Sequence, residues 1–567
     1  MDRIVANGEE ERGSPQLAAA TRNLAAPPPH DPVLAEIGPS FDGTQFAKGP
    51  GMQATALTFT LVGLDAHPIR VEVDSGRGPA FFSLVGLAEA SVRESRVRVR
   101  AALQQIGTDL AEYVITVNLA PADLKKSGGS FDVAIAAATL GAVGRIPAEA
   151  LEGTALLGEL SLSGAVRPVR GVLPALRGAV ARGVTRAVVP RDNAREAAAV
   201  PGIQVGVADH LSQIVDHFTS GAPLPGPGAP PSYAPFFGPS AVDLADVRGQ
   251  HGARRALEIA AAGGHNLIFM GPPGAGKTML ARRLPSIMPP MSLDEALEVT
   301  AVHSVAGLLS AERGALASRP FRAPHHTVSA AGLVGGGDPV RPGEVSLAHR
   351  GCLFLDELLE FKGGVLESLR QPLEDGFVTI CRARARATFP ARPLLVGAIN
   401  PCPCGYAGER SGRCTCAPER VKSYRARLSG PLLDRIDLHV VLPPVDVTHL
   451  QSQQQGEASM PVRERVAAAR ALQAERARAL GMASTNAALS PRDLERVGTP
   501  DAAGARVLAA AVDKLGLSAR AYGKVLRVAR TVADLDHSDA VRAPHVAEAV
   551  HARLLDRDPQ AGLRSAS

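Results

Sequence analysis

The sequence predicts an α/β fold, with two α/β domains in succession and a helical C-terminal segment. Three observations carry that expectation. Short apolar runs of strand length alternate with helical stretches between Thr55 and about Asp446. A Pro/Gly stretch, GAPLPGPGAPPSYAPFFGP, interrupts the alternation and cannot pack as helix or central strand. From about Pro461 the text becomes rich in Ala, Arg and Leu with a helical period, as in a bundle.

At 567 residues the chain is too long for one hydrophobic core. Residues 1–52 are rich in Pro, Gly, Ala and charge without periodicity and read as a disordered extension, with Met52 an alternative start. Residues 53–220 form the first domain. ALTFTLVGL, IRVEV and AFFSLVGL read as strands, LAEASVRESRVRVRAALQQIG as a helix, and EYVITVNLAP as a further strand. Residues 221–240 are the linker, 241–450 the second domain and 451–560 the helical segment. In the second domain HNLIFMG, CLFLDE and PLLVGAIN are short buried runs suited to a parallel sheet. No repeat of fixed period is present.

Composition narrows the classes. Hydrophobic residues make up 45% and charged residues 21%, as in an ordinary globular protein. Trp is absent and aromatics are 4%, which argues against stacking on single-stranded bases as the main grip. The net charge of +5 and pI near 9.0 lean toward a polyanion, weakly over this length. No apolar run long enough to span a membrane and no secretory leader pattern occur, so a cytoplasmic protein without a membrane partner is expected. Six cysteines, four of them between Cys402 and Cys416, do not form the distributed framework of a secreted disulfide protein.

The strongest motif is Gly271-Pro272-Pro273-Gly274-Ala275-Gly276-Lys277-Thr278, a phosphate-binding loop set between the strand NLIFM and the helix MLARRL. Its glycines let backbone N–H groups curl around phosphates. Lys277 offers a point charge to the outer phosphates, and Thr278 a hydroxyl to Mg²⁺. A second apolar strand ends in Asp356-Glu357, one carboxylate for the Mg²⁺ shell and the next to polarise an attacking water. Asn400, at the tip of LLVGAI, is placed to orient that water; a turn role before Pro401 is the alternative.

These motifs, with GQHGARRALEIAAAGGHNLIFMGPPGAGKTML, RPFRAPHHTVSAAGLVGGG, PGEVSLAHRGCLFLDELLEF, LRQPLEDG, GAINPCPCGY and SGPLLDRIDL, closely resemble the YifB/ComM group of Mg-chelatase-like AAA+ ATPases, from about residue 53 to 555. The resemblance implies a P-loop AAA+ α/β core, a C-terminal helical lid, and ATP with Mg²⁺ as cofactors. It makes Asn400 sensor 1. It makes Arg435 an arginine finger reaching a neighbouring subunit's site in a hexameric ring, where a guanidinium spreads positive charge onto the γ-phosphate; a salt bridge to Asp434 or Asp437 is the bland alternative. It makes Arg520, in LSARAYGKVLRVAR, sensor 2 closing the lid over the nucleotide, with Arg527 and Arg530 as neighbours of the same type.

The segment from Val114 to Asn193, especially GELSLSGAVRPVRGVLPALRGAVARGV, resembles the Lon protease domain, so the first domain is expected to have a Lon-protease-like (ribosomal S5 domain 2-like) fold. Proteolysis there needs a serine activated by a lysine. Ser130 falls near the serine position, but Ala175 stands at the lysine position. The expected role is therefore structural or docking, with Ser130 serving a Gly-rich turn.

Two features lie outside the nucleotide machinery. If FVTICRARARATFPAR is a strand, Arg382, Arg384 and Arg386 line one face as a ladder able to bind phosphates without reading sequence. The resemblance places this segment at a hairpin that projects toward a ring's pore; a charge-protected edge strand is the alternative. Cys402, Cys404, Cys414 and Cys416, with nine residues between the pairs, suit tetrahedral Zn²⁺, or are simply reduced thiols. Cys352 and Cys381 read as small buried hydrophobes, and His325 and His326 as turn histidines, with pore or metal roles the alternative. The resemblance implies a DNA-translocating or branch-migrating motor in recombination or DNA uptake, acting on single-stranded or branched DNA. Its rivals are a chelatase-like protein-remodelling ATPase and an ATP-dependent protease.

Overall fold

The computed structural model describes residues 53–553, except 87–88, 127, 231–241, 313, 383–384, 409–411 and 445–455. The expected disordered extension and the second half of the expected linker lie outside the described residues.

The first domain is built on a seven-stranded mixed sheet, ordered Phe81–Val85, Tyr113–Ala120, Asp65–Arg77, Gln53–Val62, Thr154–Leu156, Arg186–Pro190, Gln204–Ala208. Its longest pair, Gln53–Val62 with Asp65–Arg77, is antiparallel and closes through the two residues Gly63-Leu64. Gly63 has φ +68, the conformation that a two-residue hairpin of this twist needs at its first turn position. Along Asp65–Arg77, Ile69, Val71 and Val73 alternate inward, the period-2 pattern of a sheet with one covered face. The cover is the helix Asp132–Ala142, apolar but for Asp132 and Thr139 and buried along its whole length. Its buried Asp132 accepts from Arg98 Nε at 2.6 Å and Nη2 at 3.1 Å, the pairing that a buried carboxylate requires.

The second domain holds a five-stranded, all-parallel sheet ordered Phe321–Arg322, Cys352–Leu355, Leu394–Ile399, Leu267–Met270, Leu438–Val441. The first strand in the chain is inner, with later strands on either side. That reversal opens a crevice at the strands' carboxyl ends, where α/β sheets bind ligands. Alternate residues of the strand Leu267–Met270 serve two cores. Leu267 and Phe269 pack with the helix His251–Gly263 and the C-terminal helices, while Ile268 and Met270 pack with Leu333, Leu358, Phe389 and Ile436.

Asn266, just before that strand, ties three strand starts together. Its Nδ2 donates to Arg435 O at 3.0 Å, its Oδ1 accepts from Leu395 N at 2.9 Å, and its backbone N–H donates to Asp437 Oδ2 at 3.1 Å.

The C-terminal segment is helical: Ser459–Leu480, Pro491–Val497, Ala502–Leu515, Ala519–Leu535 and Ala543–His551. Ser490, Asp501 and Ser518 cap three of these helices, and Gly481 and Gly516, both at positive φ, end two. A buried polar network fastens them to the sheet domain. His265 Nε2 meets Thr531 Oγ1 at 2.7 Å; Asn486 Nδ2 donates to Thr531 and Asp534; Arg476 pairs with Asp534. Burial pushes the Asp437 carboxyl up, but the Lys524 ammonium and His265 beside it more than reverse this and hold it well below the usual carboxylate range.

The first two domains also touch. The buried Glu196 carboxylate accepts from Ser304 Oγ of the second domain, Lys125 pairs with Asp338 at 2.8 Å, and a Cβ on Gly63 would stand 2.9 Å from the Thr388 carbonyl. Among the described residues no helix is long and apolar enough to cross a membrane.

Candidate functional site: a phosphate loop, two carboxylates and two remote arginines

The strand Leu267–Met270 delivers Gly271 into the crevice, and the loop then curls through Gly274 and Gly276 at φ +79 and +87. Both angles lie in the left-handed region that glycine enters without strain. The helix Lys277–Ile287 starts directly after Gly276, so its unpaired N–H groups and the positive end of its dipole face the loop. Lys277 is folded over this loop. Its Nζ donates to Gly271 O at 2.6 Å, Pro272 O at 3.0 Å and Asn400 Oδ1 at 3.0 Å. Burial lowers the Lys277 pKa, and the charges of Asp356 and Glu357 act against that lowering.

Asp356 and Glu357 end the neighbouring buried strand Cys352–Leu355. Thr278 Oγ1 donates to Asp356 Oδ2 at 2.7 Å, bringing together the hydroxyl and the carboxylate suited to a Mg²⁺ shell. Glu357 sits at φ +50, an uncommon conformation for a residue with a side chain, and its carboxylate is half exposed. His326 Nδ1 lies 3.4 Å from Glu357 Oε2, and its ring is 4.1 Å from that of His325. His326 is thus a neighbour of the Glu357 carboxylate, a placement the turn reading of that histidine did not contain. Gln250 is a second residue that the motifs did not reveal. At φ +50, it sends Nε2 to Ala275 O at 3.4 Å and Pro443 O at 3.2 Å, joining the phosphate loop to the segment after the strand Leu438–Val441.

The residues fit ATP and Mg²⁺. The loop glycines 274 and 276 have open space where a Cβ would stand, the lysine rests on carbonyls a phosphate oxygen can replace, and the hydroxyl–carboxylate pair is formed. When bound, ATP and Mg²⁺ supply the phosphoanhydride bond and the divalent charge on its oxygens. In that state Lys277 and the backbone N–H groups would hold the phosphates, while Glu357 and Asn400 stand where a carboxylate and an amide could meet a water and the outer phosphate.

Arg435 and Arg520 are elsewhere. Arg435 lies before the strand Leu438–Val441, at the amino ends of the parallel strands, whereas the phosphate loop lies beyond their carboxyl ends. Arg435 donates to Arg370 O at 3.1 Å and Pro431 O at 2.7 Å and pairs with Glu374; the pairing considered from sequence, to Asp434 or Asp437, is not the one formed. Arg520 is 72% exposed and lies 3.8 Å from Asp434, beside Arg435. Arg520, expected as sensor 2 closing the lid over the nucleotide, is thus placed beside Asp434 and not at its own chain's phosphate loop. The helix Ala519–Leu535 packs on His251–Gly263 and is tied to the amino ends of the strands through His265–Thr531 and Lys524–Asp437. Arg527 donates to Leu489 O, and Arg530 pairs with Asp534, so both are fixed within the helical segment.

The arginine segment is a hairpin, Phe377–Arg382 against Ala385–Pro390, ending just before the strand that carries Asn400. This corrects the one-strand ladder. Arg382 pairs in register with Ala385 and Arg386 with Cys381, so Arg382 shares a face with Ile380 and Arg386 points to the opposite face. Both arginines are exposed; Arg384 lies outside the described residues. Val378, Ile380, Ala387 and Phe389 root the hairpin in the core. Cys381, read as buried, is exposed on the outer face; Cys352 is buried as expected.

In the first domain Ser130 leads into the helix Asp132–Ala142 and its carbonyl accepts from Gly158 N–H at 3.2 Å, while Ala175 is buried and carries no group able to act as a base. Cys402, Cys404, Cys414 and Cys416 come together in one cluster beside Asn400.

A P-loop with a magnesium-type Thr–Asp pair, a catalytic-type glutamate and a sensor asparagine on a 5-stranded parallel sheet, followed by a helical lid, defines an AAA+ ATPase core. The family comparisons agree segment by segment. Residues 243–450 match the description "Magnesium chelatase, subunit ChlI", residues 71–193 "Subunit ChlI of Mg-chelatase", and residues 456–553 "Magnesium chelatase, subunit ChlI C-terminal". An uncharacterized protein of Mycobacterium tuberculosis is 47% identical over 85% of this chain and 94% of its own length. The uncharacterized protein YifB of Salmonella typhimurium is 42% identical over 88% and 97%, and the competence protein ComM of Haemophilus influenzae 43% over 88% and 96%. Part of the chain, 29%, is 26% identical to 22% of Lon protease 1 of Bacillus subtilis, in keeping with the Lon-like first domain. The chain belongs to the YifB/ComM family of Mg-chelatase-like AAA+ ATPases.

Proposed function

We propose that this protein is an ATP-hydrolysing ring motor that moves along or remodels DNA, as a helicase or branch-migration enzyme in recombination or DNA uptake. The observation that carries the proposal is the placement of the arginine hairpin. Arg382 and Arg386 are exposed near its tip, while its base runs directly into the strand bearing Asn400. A hairpin rooted beside the γ-phosphate sensor moves when that sensor moves, and guanidiniums on both faces suit a phosphate backbone approached from more than one side.

The ring half of the proposal rests on Arg435 and Arg520. Both sit at the amino ends of the strands, remote from their own phosphate loop, where a guanidinium serves hydrolysis only by entering a neighbour's site. The name of the Haemophilus influenzae relative, competence protein, favours DNA over protein as the polymer. The protease reading lacks its base at Ala175.

The test is the ATPase rate with and without single-stranded, duplex and branched DNA across a salt series, for the wild type and an Arg382→Ala/Arg386→Ala variant. Stimulation that fades with salt and vanishes in the variant supports the DNA motor. Robust basal turnover with no response to any DNA replaces it with the protein-remodelling reading.

A further inference from the structure

Directly after Asn400 the chain enters a loop that holds four of its six cysteines. Cys402 Sγ lies 3.3 Å from Cys404 Sγ and 3.8 Å from Cys414 Sγ, and the Cys404 and Cys414 sulphurs are 3.6 Å apart. All four ligand atoms, including that of Cys416, lie within 4.8 Å of one another. None is in a disulfide. Four sulphurs around one Zn²⁺ at about 2.3 Å stand roughly 3.8 Å apart, so these separations suit a single ion. Iron–sulphur clusters, with several metals between their cysteines, hold those sulphurs farther apart.

The loop is also built as a metal knuckle is built. Gly405 N–H donates to Cys402 O at 2.9 Å, closing a tight turn, and Ala407 N–H donates to Cys402 Sγ at 3.3 Å, which fixes the position of that sulphur. Cys402 is fully buried and the other three are half-buried. Four protein sulphurs leave no open position, which is the arrangement of a structural rather than a catalytic zinc.

The knuckle rests on the nucleotide machinery. Gly405, at φ +87, packs so closely on the phosphate loop that a Cβ there would be 2.6 Å from Pro273 Cδ. Pro401 O, between Asn400 and the first ligand, accepts from Arg425 Nε at 2.9 Å. Asn400 in turn meets Lys277.

We propose that Cys402, Cys404, Cys414 and Cys416 bind one structural Zn²⁺, and that this clasp holds the phosphate loop and Asn400 in register without touching nucleotide. The metal half stands on the sulphur geometry alone, while the clasp half rests on the ATPase reading of the neighbouring site.

The experiment uses the full chain. Elemental analysis of purified wild type is expected to give one zinc per chain, and exchange to Co²⁺ to give the visible bands of tetrahedral cobalt thiolate. A Cys404→Ser/Cys416→Ser variant is expected to lose the metal, and Cys381→Ser, at an exposed thiol outside the cluster, to keep it. Absence of metal, iron in its place, or zinc retained in the double variant would overturn the site. Should the double variant not fold, titrating wild type with a mercurial while following zinc release reads the same ligands.

For the clasp, stripping zinc from wild type is expected to raise hydrogen exchange of residues 271–278 and to reduce ATP turnover at least tenfold, both restored by zinc. Unchanged exchange and turnover after complete removal would overturn it. A zinc-loaded wild type with no ATPase activity would instead defeat the ATPase reading and leave the metal site standing.

Discussion

Lys277 Nζ lies 3.0 Å from Asn400 Oδ1, so a side-chain hydrogen bond links the phosphate loop to the residue that ends the strand Leu394–Ile399, beside the backbone bond from Gly271 N–H to Ile399 O at 3.3 Å. A γ-phosphate that engages Lys277 competes for its side-chain bond, which makes Asn400 responsive to whether the outer phosphate is present. Asn400→Ala is expected to leave nucleotide affinity within a few-fold of wild type and to lower kcat roughly a hundredfold, as when one positioned polar group is removed from a transition-state site. Equilibrium binding of a fluorescent ATP analogue beside steady-state turnover checks this. Equal loss of binding and turnover would make Asn400 a binding residue instead.

Glu357→Gln preserves shape and removes the carboxylate proposed to polarise water. Turnover is expected to fall by about 10²–10⁴-fold with ATP still bound, the range for loss of a general base. Single-turnover hydrolysis of prebound ATP separates the chemistry from release, and a normal rate there contradicts the assignment.

Arg435→Ala is expected to lower turnover about a thousandfold in uniform assemblies, within the range for a transition-state arginine. Mixing it with Glu357→Gln subunits, themselves inactive, is expected to restore activity, because each variant supplies what the other lacks. Mixed assemblies that form but stay inactive argue against action between subunits.

Glu298 predicts an acid response. His349 Nε2 lies 3.1 Å from its carboxylate and, with His349 Nδ1 accepting from Arg392 N–H at 3.1 Å, is the N–H side of a neutral, buried ring. That hydrogen bond, opposed by burial and joined by Arg350, takes the Glu298 pKa down to about 2. A depressed carboxylate pKa contributes stability that is present above the unfolded value near 4.5 and is lost as pH falls through about 2. Glu298→Gln is therefore expected to be less stable than wild type at neutral pH, with the gap closing between pH 4.5 and 2. Urea midpoints across that range measure it; a gap that stays constant removes Glu298 as the source.

Much of the nucleotide site was legible because its chemistry is local. Gly271 to Thr278, Asp356, Glu357 and Asn400 each end or follow a short buried strand, and a parallel sheet gathers strand ends by construction. The arginine ladder was misread because the sequence between Ile380 and Ala387 carries no Gly, Asn or Pro to announce a reversal, yet Arg382 pairs with Ala385 and Cys381 with Arg386, a register that sends Arg382 and Arg386 to opposite faces. Cys381, paired with Arg386, is exposed on that opposite face. The position of Arg520 was not readable because it depends on how the helical segment docks. That is settled by buried contacts such as His265–Thr531 and Lys524–Asp437, between residues far apart in the chain. His326 beside Glu357 was hidden for the same reason.

Asn266 fastens the beginnings of three parallel strands, touching Arg435 O, Leu395 N and Asp437 Oδ2 with one short side chain and its own backbone. A strand locked in register by neighbours on both sides behaves as a stiff rod, about 3.3 Å per residue, and does not shorten when pushed. Were the loop of Arg435 pressed, such a strand, Leu394–Ile399, would carry the push to Asn400 at its far end. In the proposed ring, a subunit whose arginine is gripped by one neighbour would feel that grip at its own nucleotide. Firing would then pass around the circle in sequence, as an escapement lets a clockwork advance one tooth at a time.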